Sequence, residues 1–320
     1  MLHRHGGPGG KIGPEDTVYF NPDIYRVVLF SQRGAGKSEP LGGRSINSLS
    51  AAVSDIEKLR EKLGIDRGST LTLAYSETHP DRCTALIMRG IFLLRKSELA
   101  FFYQDGTSRK QPVKSRTLTA KTSGQSTGAS AERGCRAWLT VIREKYVSVI
   151  PPEERGDMIK AYYRRLTSDN DEISLTAAKT WSTWEESTCK LIPDPELIAQ
   201  ADNEPKWARA FARIECHYFV NNGFFPEGFL IQEEQIKKIV AAGHAQKGSR
   251  DSCGQPRSAW DLKKAWGEGL DLQFVEDAGH SAKETGITKL LTKVGTVTRA
   301  SATRVLTAQN QAADRLANAV

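Results

Sequence analysis

Apolar residues recur at spacings of three and four along Leu49, Val53, Ile56, Leu59 and Leu63. A period near 3.6 brings these positions onto one face, so the spacing predicts an amphipathic helix. Asn47 stands where an N-cap belongs, and Gly64 where a glycine C-cap would end the helix. Residues 25–31 (Tyr-Arg-Val-Val-Leu-Phe-Ser) are short, apolar and β-branched at the centre, consistent with a buried parallel strand. Ala85 to Met88 and Leu272 to Val275 read as further strands, and Thr70 to Glu77 as the opening of a second helix. Between 146 and 235 the pattern is helical and dense in aromatics, among them Tyr162, Tyr163, Trp181, Trp184, Trp207 and Tyr218. Strands alternating with helices predict an α/β class with a mostly parallel sheet, and the helical middle reads as a cap inserted into it. No internal repeat is visible.

Charge alters this picture in one place. The chain of 320 residues carries a net +7, but residues 105–137 hold seven Lys/Arg against two acids. That stretch, rich in Ser and Thr and without either period, reads as a disordered insertion and accounts for most of the excess charge. The remainder has an ordinary balance, so no nucleic-acid partner is expected. A basic interaction arm at 105–137 is the only charge-based partner site the pattern offers. Five boundaries follow: core at 1–104, insertion at 105–137, cap at 138–235, core again at 236–292, and a Ser/Thr/Ala-rich tail at 293–320. The five cysteines (Cys83, Cys135, Cys189, Cys216, Cys253) are scattered without Cys-x-x-Cys spacing. A reducing, cytoplasmic setting is expected, with no structural zinc. No run of about 18 apolar residues exists, so no membrane span is expected. Gly34-Ala35-Gly36-Lys37-Ser38 lacks the full phosphate-loop spacing, and no nucleotide or other cofactor is expected.

Several blocks, in this order, carry a family resemblance. They are His5-Gly6-Gly7-Pro8-Gly9-Gly10, Gln32-Arg33-Gly34-Ala35-Gly36-Lys37-Ser38, Arg89 to Arg95, Pro151 to Met158, Trp181-Ser182-Thr183-Trp184-Glu185, Phe211 to Glu215, Ser258 to Leu262 and Ala278-Gly279-His280-Ser281-Ala282. Together the chain resembles the proline iminopeptidases (prolyl aminopeptidases), serine peptidases of the α/β-hydrolase fold. The resemblance implies release of N-terminal proline from peptides through an acyl-enzyme. It implies His280 as general base and Asp251 as the acid that orients it. The glycine loop, Gly6 and Gly7, would present backbone N–H to the oxyanion. Glu185 and Glu215 match the glutamates that receive the substrate amine, with Arg95 anchoring that region and Phe92 or Phe102 lining a proline pocket.

Departures from the pattern are equally specific. The glycine-rich loop comes at the very start, so the sheet's usual first strands are expected to be absent. The stretch Gly64-Ile65-Asp66-Arg67-Gly68-Ser69-Thr70-Leu71 runs from helix to helix, where the family has a strand and a nucleophile turn. Ser69 matches a second serine of that motif, not the nucleophile, and makes a poor substitute on its surroundings. The expectation is therefore an incomplete hydrolase fold lacking its nucleophile turn, with impaired activity. The alternative from another class is a non-catalytic hydrolase-like protein that binds peptide N-termini. Ser31 stands where the family has an aspartate, which would leave Arg33 without its usual partner. The oligomeric state is not legible.

Overall fold

The computed structural model describes residues 2–4, 7–10, 12–23, 25–43, 47–63, 72–83, 85–104, 128–251, 253 and 255–294. Among these, strands β1 (Leu2–Arg4) and β2 (Val28–Phe30) pair in parallel. The N-terminal segment thus supplies a short strand, where the sequence pattern predicted none. Helix α1 (Leu49–Lys62) follows, with Val53 and Ile56 buried as the periodicity requires. Its N-cap is Ser48, whose Oγ accepts from the Ala51 N–H, and not Asn47. Asn47 is instead buried, holding Gln32, the Arg33 carbonyl and the Gly43 carbonyl.

Helix α2 (Thr72–Thr78) leads into β3 (Ala85–Arg89). The short α3 (Lys96–Leu99) then opens the passage to the cap. There α4 (Gly128–Ser148), α5 (Met158–Leu166), α6 (Asp171–Thr188), α7 (Pro195–Asn203), α8 (Pro205–Val220) and α9 (Glu233–Ile236) succeed one another. Helix α4 begins inside the stretch expected to be irregular. Ala129, Ala131, Glu132 and Arg133 favour helix, and Tyr146 in its last turns is fully buried in the cap core. Residues 105–127 lie outside the described residues, as does the tail from 295.

The chain returns through β4 (Ala242–Gly248), α10 (Pro256–Trp266) and β5 (Leu270–Val275), and a last helix, α11, covers residues 285–294. Strand order is β3-β4-β5, all parallel, so β4 joins strands separated by the whole cap. Composition gave no hint of β4, since Ala-Gly-His-Ala-Gln-Lys-Gly lacks any β-branched residue. Close packing explains its position. A Cβ on Gly243 would come within 2.8 Å of both the Trp266 ring and Leu270, so glycine lets α10 lie close on the sheet.

Three hydrophobic clusters result among the described residues, the smallest of them Tyr19, Ala278, Ile287 and Leu291. One lies beneath α1, α10 and the three-stranded sheet, around Ile56, Leu86, Ala245 and Leu262. Another fills the cap around Trp181, Trp184, Tyr146, Tyr162 and Phe102. Tyr103 stacks on Trp181 at 4.6 Å between centroids and Tyr146 on Tyr162 at 4.7 Å. Each such pair contributes about 0.5–1.5 kcal/mol beyond its buried area.

Candidate active site

Asp251 and His280 lie in the loops that leave the carboxyl ends of β4 and β5. These strands run side by side in parallel, with Gly248 opposite Val275 as the last pair. Loops leaving neighbouring parallel strands emerge at the same edge, where sites of open α/β sheets form. Gly248 lets them touch: a Cβ there would lie 1.9 Å from the Gly279 carbonyl oxygen. Backbone bonds from Ser249 to Val275 (2.9 Å) and from Arg250 to Ala278 (3.2 Å) fasten the junction.

Glu284 then shapes the second loop. Its carboxylate accepts from the backbone N–H of Gly279 (2.9 Å), Ser281 (3.2 Å) and Leu191 (2.8 Å), tying loop, α11 and the end of α6 together. The His280 N–H donates to the Cys189 carbonyl at 3.0 Å, and the Arg89 guanidinium donates to the His280 carbonyl. Held in this way, the imidazole presents Nδ1 to Asp251 Oδ2 at 2.9 Å. Against an ionised carboxylate Nδ1 carries the hydrogen, which leaves Nε2 as the proton acceptor.

Asp251 is completely buried. Burial alone would raise its pKa, but the charges and hydrogen bonds of His280 and Lys247 hold it well below the usual carboxylate range. Lys247 Nζ stands 2.8 Å from the same Oδ2, and the Cys253 N–H donates to Oδ1 at 2.9 Å. The His280 pKa is lowered, first by burial and then by Arg89 and Lys247, against the opposing pull of Asp251. Gly90, at φ +61°, lies against the imidazole face. A Cβ there would come 2.7 Å from His280 Cε1.

In the cap, Glu185 (α6) and Glu215 (α8) are both buried. Glu185 accepts from the Tyr103 hydroxyl, and Glu215 from Trp181 Nε1 at 2.8 Å. Desolvation pushes both carboxyls upward, and for Glu215 the neighbouring Glu185 pushes further. Among the described residues, no cation forms an ion pair with either. Phe102 packs on Tyr103 and Trp184, and Phe92 on Phe219, within the same aromatic cluster.

Other residues singled out in the sequence are placed differently. Arg95 Nη1 binds Asp261 at 2.8 Å and Nη2 binds Ser258 at 3.3 Å, so this guanidinium fastens the cap junction to α10. Arg33 has a partner after all, Asp55 of α1, at 2.7 Å from its Nε. Gly7 and Gly9 both have left-handed backbone, and Gly9 packs where a Cβ would lie 3.0 Å from the Phe211 carbonyl oxygen. The glycine loop is thereby seated on α8. Gly6 and Ser69 lie outside the described residues.

A Gly-x-Ser-x-Gly string also stands far from the expected place, at Gly124-Gln125-Ser126-Thr127-Gly128. Its last glycine begins α4, and the four residues before it lie outside the described residues. This corrects the expectation that the chain contains no Gly-x-Ser-x-Gly string, although no apolar strand pattern precedes this one. Asp251, Cys253 and His280 bring one ligand-type atom each within 4.8 Å of one another. The Asp251 oxygen already carries an ammonium and an imidazole N–H, and burial keeps the Cys253 thiol protonated, so the trio reads as a hydrogen-bonded cluster and not a metal cage. Cys253 Sγ lies 3.5 Å from Thr188 Oγ1 and 4.0 Å from Cys189 Sγ. Sequence reasoning missed Lys247, Gly90 and Glu284, since a lysine in a strand, a glycine after one and a glutamate in a helix turn carry no signature of their own.

Known proteins give the same frame. A family model described as the alpha/beta hydrolase fold matches residues 2–287. A probable proline iminopeptidase of Leptolyngbya boryana is 48% identical over 302 residues, covering 91% of this chain and 84% of that protein. The Arabidopsis thaliana proline iminopeptidase is 43% identical, over 90% of this chain and 70% of its own length. A Xylella fastidiosa proline iminopeptidase is 44% identical, over 88% and 82% respectively. With identity of this extent along nearly the whole chain, and the Asp251–His280 pair at the edge of a parallel sheet, the chain belongs to the proline iminopeptidase family of α/β hydrolases.

Proposed function

We propose that this protein is a serine aminopeptidase that releases N-terminal proline from peptides, with His280 as general base and Asp251 holding its tautomer. The observation that carries the reading is the buried pair Glu185 and Glu215 in the cap, neither ion-paired among the described residues, in a chain that also holds a bonded Asp–His pair. Desolvation raises both carboxyls above the ordinary range and so favours their protonated forms, with no cation paired to either among the described residues. A substrate's N-terminal secondary ammonium supplies the missing charge, and a buried charge-assisted hydrogen bond discriminates strongly against a blocked terminus. The aromatic walls around Trp184 and Phe102 suit the apolar pyrrolidine ring.

In the reaction, a serine hydroxyl attacks the prolyl carbonyl and gives its proton to His280 Nε2. The same proton passes to the leaving amine, and water then hydrolyses the ester by the reverse route. The glycine loop at Gly6 and Gly7 donates to the oxyanion. Ser69 and Ser126 both lie outside the described residues, so labelling is what names the serine. The bonded Asp251–His280 pair favours this enzyme over a non-catalytic binder of peptide N-termini.

The test is hydrolysis of a prolyl chromogenic substrate by wild type and His280→Ala, with fluorophosphonate labelling and peptide mapping. Turnover lost in the variant, with one serine labelled, supports the proposal and names the nucleophile. Absence of turnover and label in a folded chain refutes it. Equal turnover in His280→Ala refutes the role of His280.

A further inference from the structure

We propose that Lys247 is a positioning residue that sets the basicity of His280 by sharing the Asp251 carboxylate with it. Lys247 is the penultimate residue of β4 and is completely buried. Its Nζ reaches Asp251 Oδ2 at 2.8 Å and the Ile91 carbonyl at 3.2 Å. The oxygen it approaches is the one that accepts the His280 Nδ1 hydrogen at 2.9 Å. Two donors on one oxygen, with the Cys253 N–H on the other, divide a single negative charge.

Charge balance gives the arrangement its consequence. In the usual Asp–His pair, protonating the imidazole turns a lone anion into an ion pair, and the carboxylate stabilises the imidazolium. Here the Asp251 charge is already matched by the Lys247 ammonium. A proton on His280, whose side chain is 24% exposed, therefore leaves a net positive charge on a cluster whose Lys247 and Asp251 are fully buried. Other groups facing the ring or its loop are the Arg89 guanidinium on the His280 carbonyl, the Glu284 carboxylate on the loop amides, and the Cys189 and Cys253 thiols. Arg89 adds to the opposition, Glu284 is committed to backbone N–H groups, and the thiols stay neutral. Lys247 keeps His280 in its neutral, proton-accepting form to lower pH, and lessens the support Asp251 gives to the imidazolium formed in the transition state.

The role matters for catalysis through the reading of His280 as general base, but the decisive readout needs no turnover. The His280 imidazole of the full chain is titrated by NMR with labelled histidine, its resonance assigned through His280→Ala. Wild-type His280 is expected to titrate below the ordinary value of about 6.5. Lys247→Met and Lys247→Gln are both expected to raise that midpoint by about one to two pH units. In an active enzyme the acid limb of kcat/KM moves by the same amount. A wild-type midpoint at or above about 6.5 overturns the proposal, and this measurement stands even where neither variant folds. Unchanged midpoints in folded variants, or a shift in only one of them, also overturn it, since the loss of charge is common to both and packing is not. A shifted midpoint in a chain without turnover upholds Lys247 and refutes the proposed function alone.

Discussion

Gly90→Ala tests whether the site owes its geometry to the absence of one methyl group. Gly90 sits at φ +61°, where an L-residue costs about 1–2 kcal/mol. The added Cβ would lie 2.7 Å from His280 Cε1, 3.1 Å from Nδ1 and 3.3 Å from Nε2. An ordinary carbon–carbon contact begins near 3.4 Å, so either the ring or the backbone must give way by several tenths of an ångström. Moving the ring stretches the 2.9 Å bond to Asp251, and moving the backbone strains the 3.0 Å bond from the Gly90 N–H to the Gln246 carbonyl. Overpacking of this kind costs about 1–3 kcal/mol. Together the two effects predict a loss of about 2–5 kcal/mol in stability. Urea unfolding measures it, and the downfield Nδ1–H resonance of His280 reports the bond to Asp251. The expected variant unfolds earlier and has a shifted or broadened resonance. A variant with the wild-type midpoint and an unchanged resonance would refute the argument, because the contact would then be absorbed at no cost.

Two further outcomes are expected from buried charges. Glu77 of α2 is only 5% exposed with neither carboxyl oxygen bonded among the described residues, and burial pushes its pKa from 4.5 up to about 8. The folded chain keeps that proton while the unfolded chain loses it, so stability declines as pH rises from 4.5 to about 8 and is level above. Glu77→Gln removes this decline, a difference of about 5 kcal/mol across the window in urea unfolding, and parallel pH profiles for the two proteins would contradict it. Asp251→Asn leaves the Lys247 ammonium buried without a counter-charge and is expected to cost about 3–5 kcal/mol. Adding Lys247→Met should recover most of that loss, and a double variant as unstable as Asp251→Asn would show that the charge was not the cause.

Residues that are apolar at a fixed period declared themselves in the sequence: α1, β3 and β5 stand where the spacing put them. Strand β4 did not, because a small-residue strand held between two others needs no hydrophobic signal of its own. Asn47 looked like a cap because its chemistry suits one, but the same amide serves the Gln32 network, and Ser48 next to it caps α1. Arg33 found Asp55 twenty-two residues away, a pairing that only the fold could bring about. Asp251 and His280 were legible as types in motifs, and the burial of Glu185 and Glu215 followed from their aromatic neighbours. Lys247 was not, since nothing local distinguishes a lysine that faces solvent from one that faces a carboxylate across a strand end.

The two sets of buried charge differ in one respect that bears on function. Asp251 has its counter-charge within the chain, in Lys247, and its pKa is depressed. Glu185 and Glu215 have none among the described residues, and theirs are raised. Nothing in the stability of the free protein requires two carboxyls to be buried side by side beneath Trp181 and Tyr103, and a pair of apolar residues would fit there at lower cost. A bound cation changes that balance: it lets both carboxyls ionise, restores their hydrogen bonds to full strength and converts a destabilised pair into a binding site. Binding an ammonium there must therefore release protons, so affinity for an N-terminal amine rises with pH until the pair is ionised or the amine itself loses its charge. On the proposed function, the cap is incomplete without its substrate in the same sense that the Asp251–Lys247 pair is complete without one.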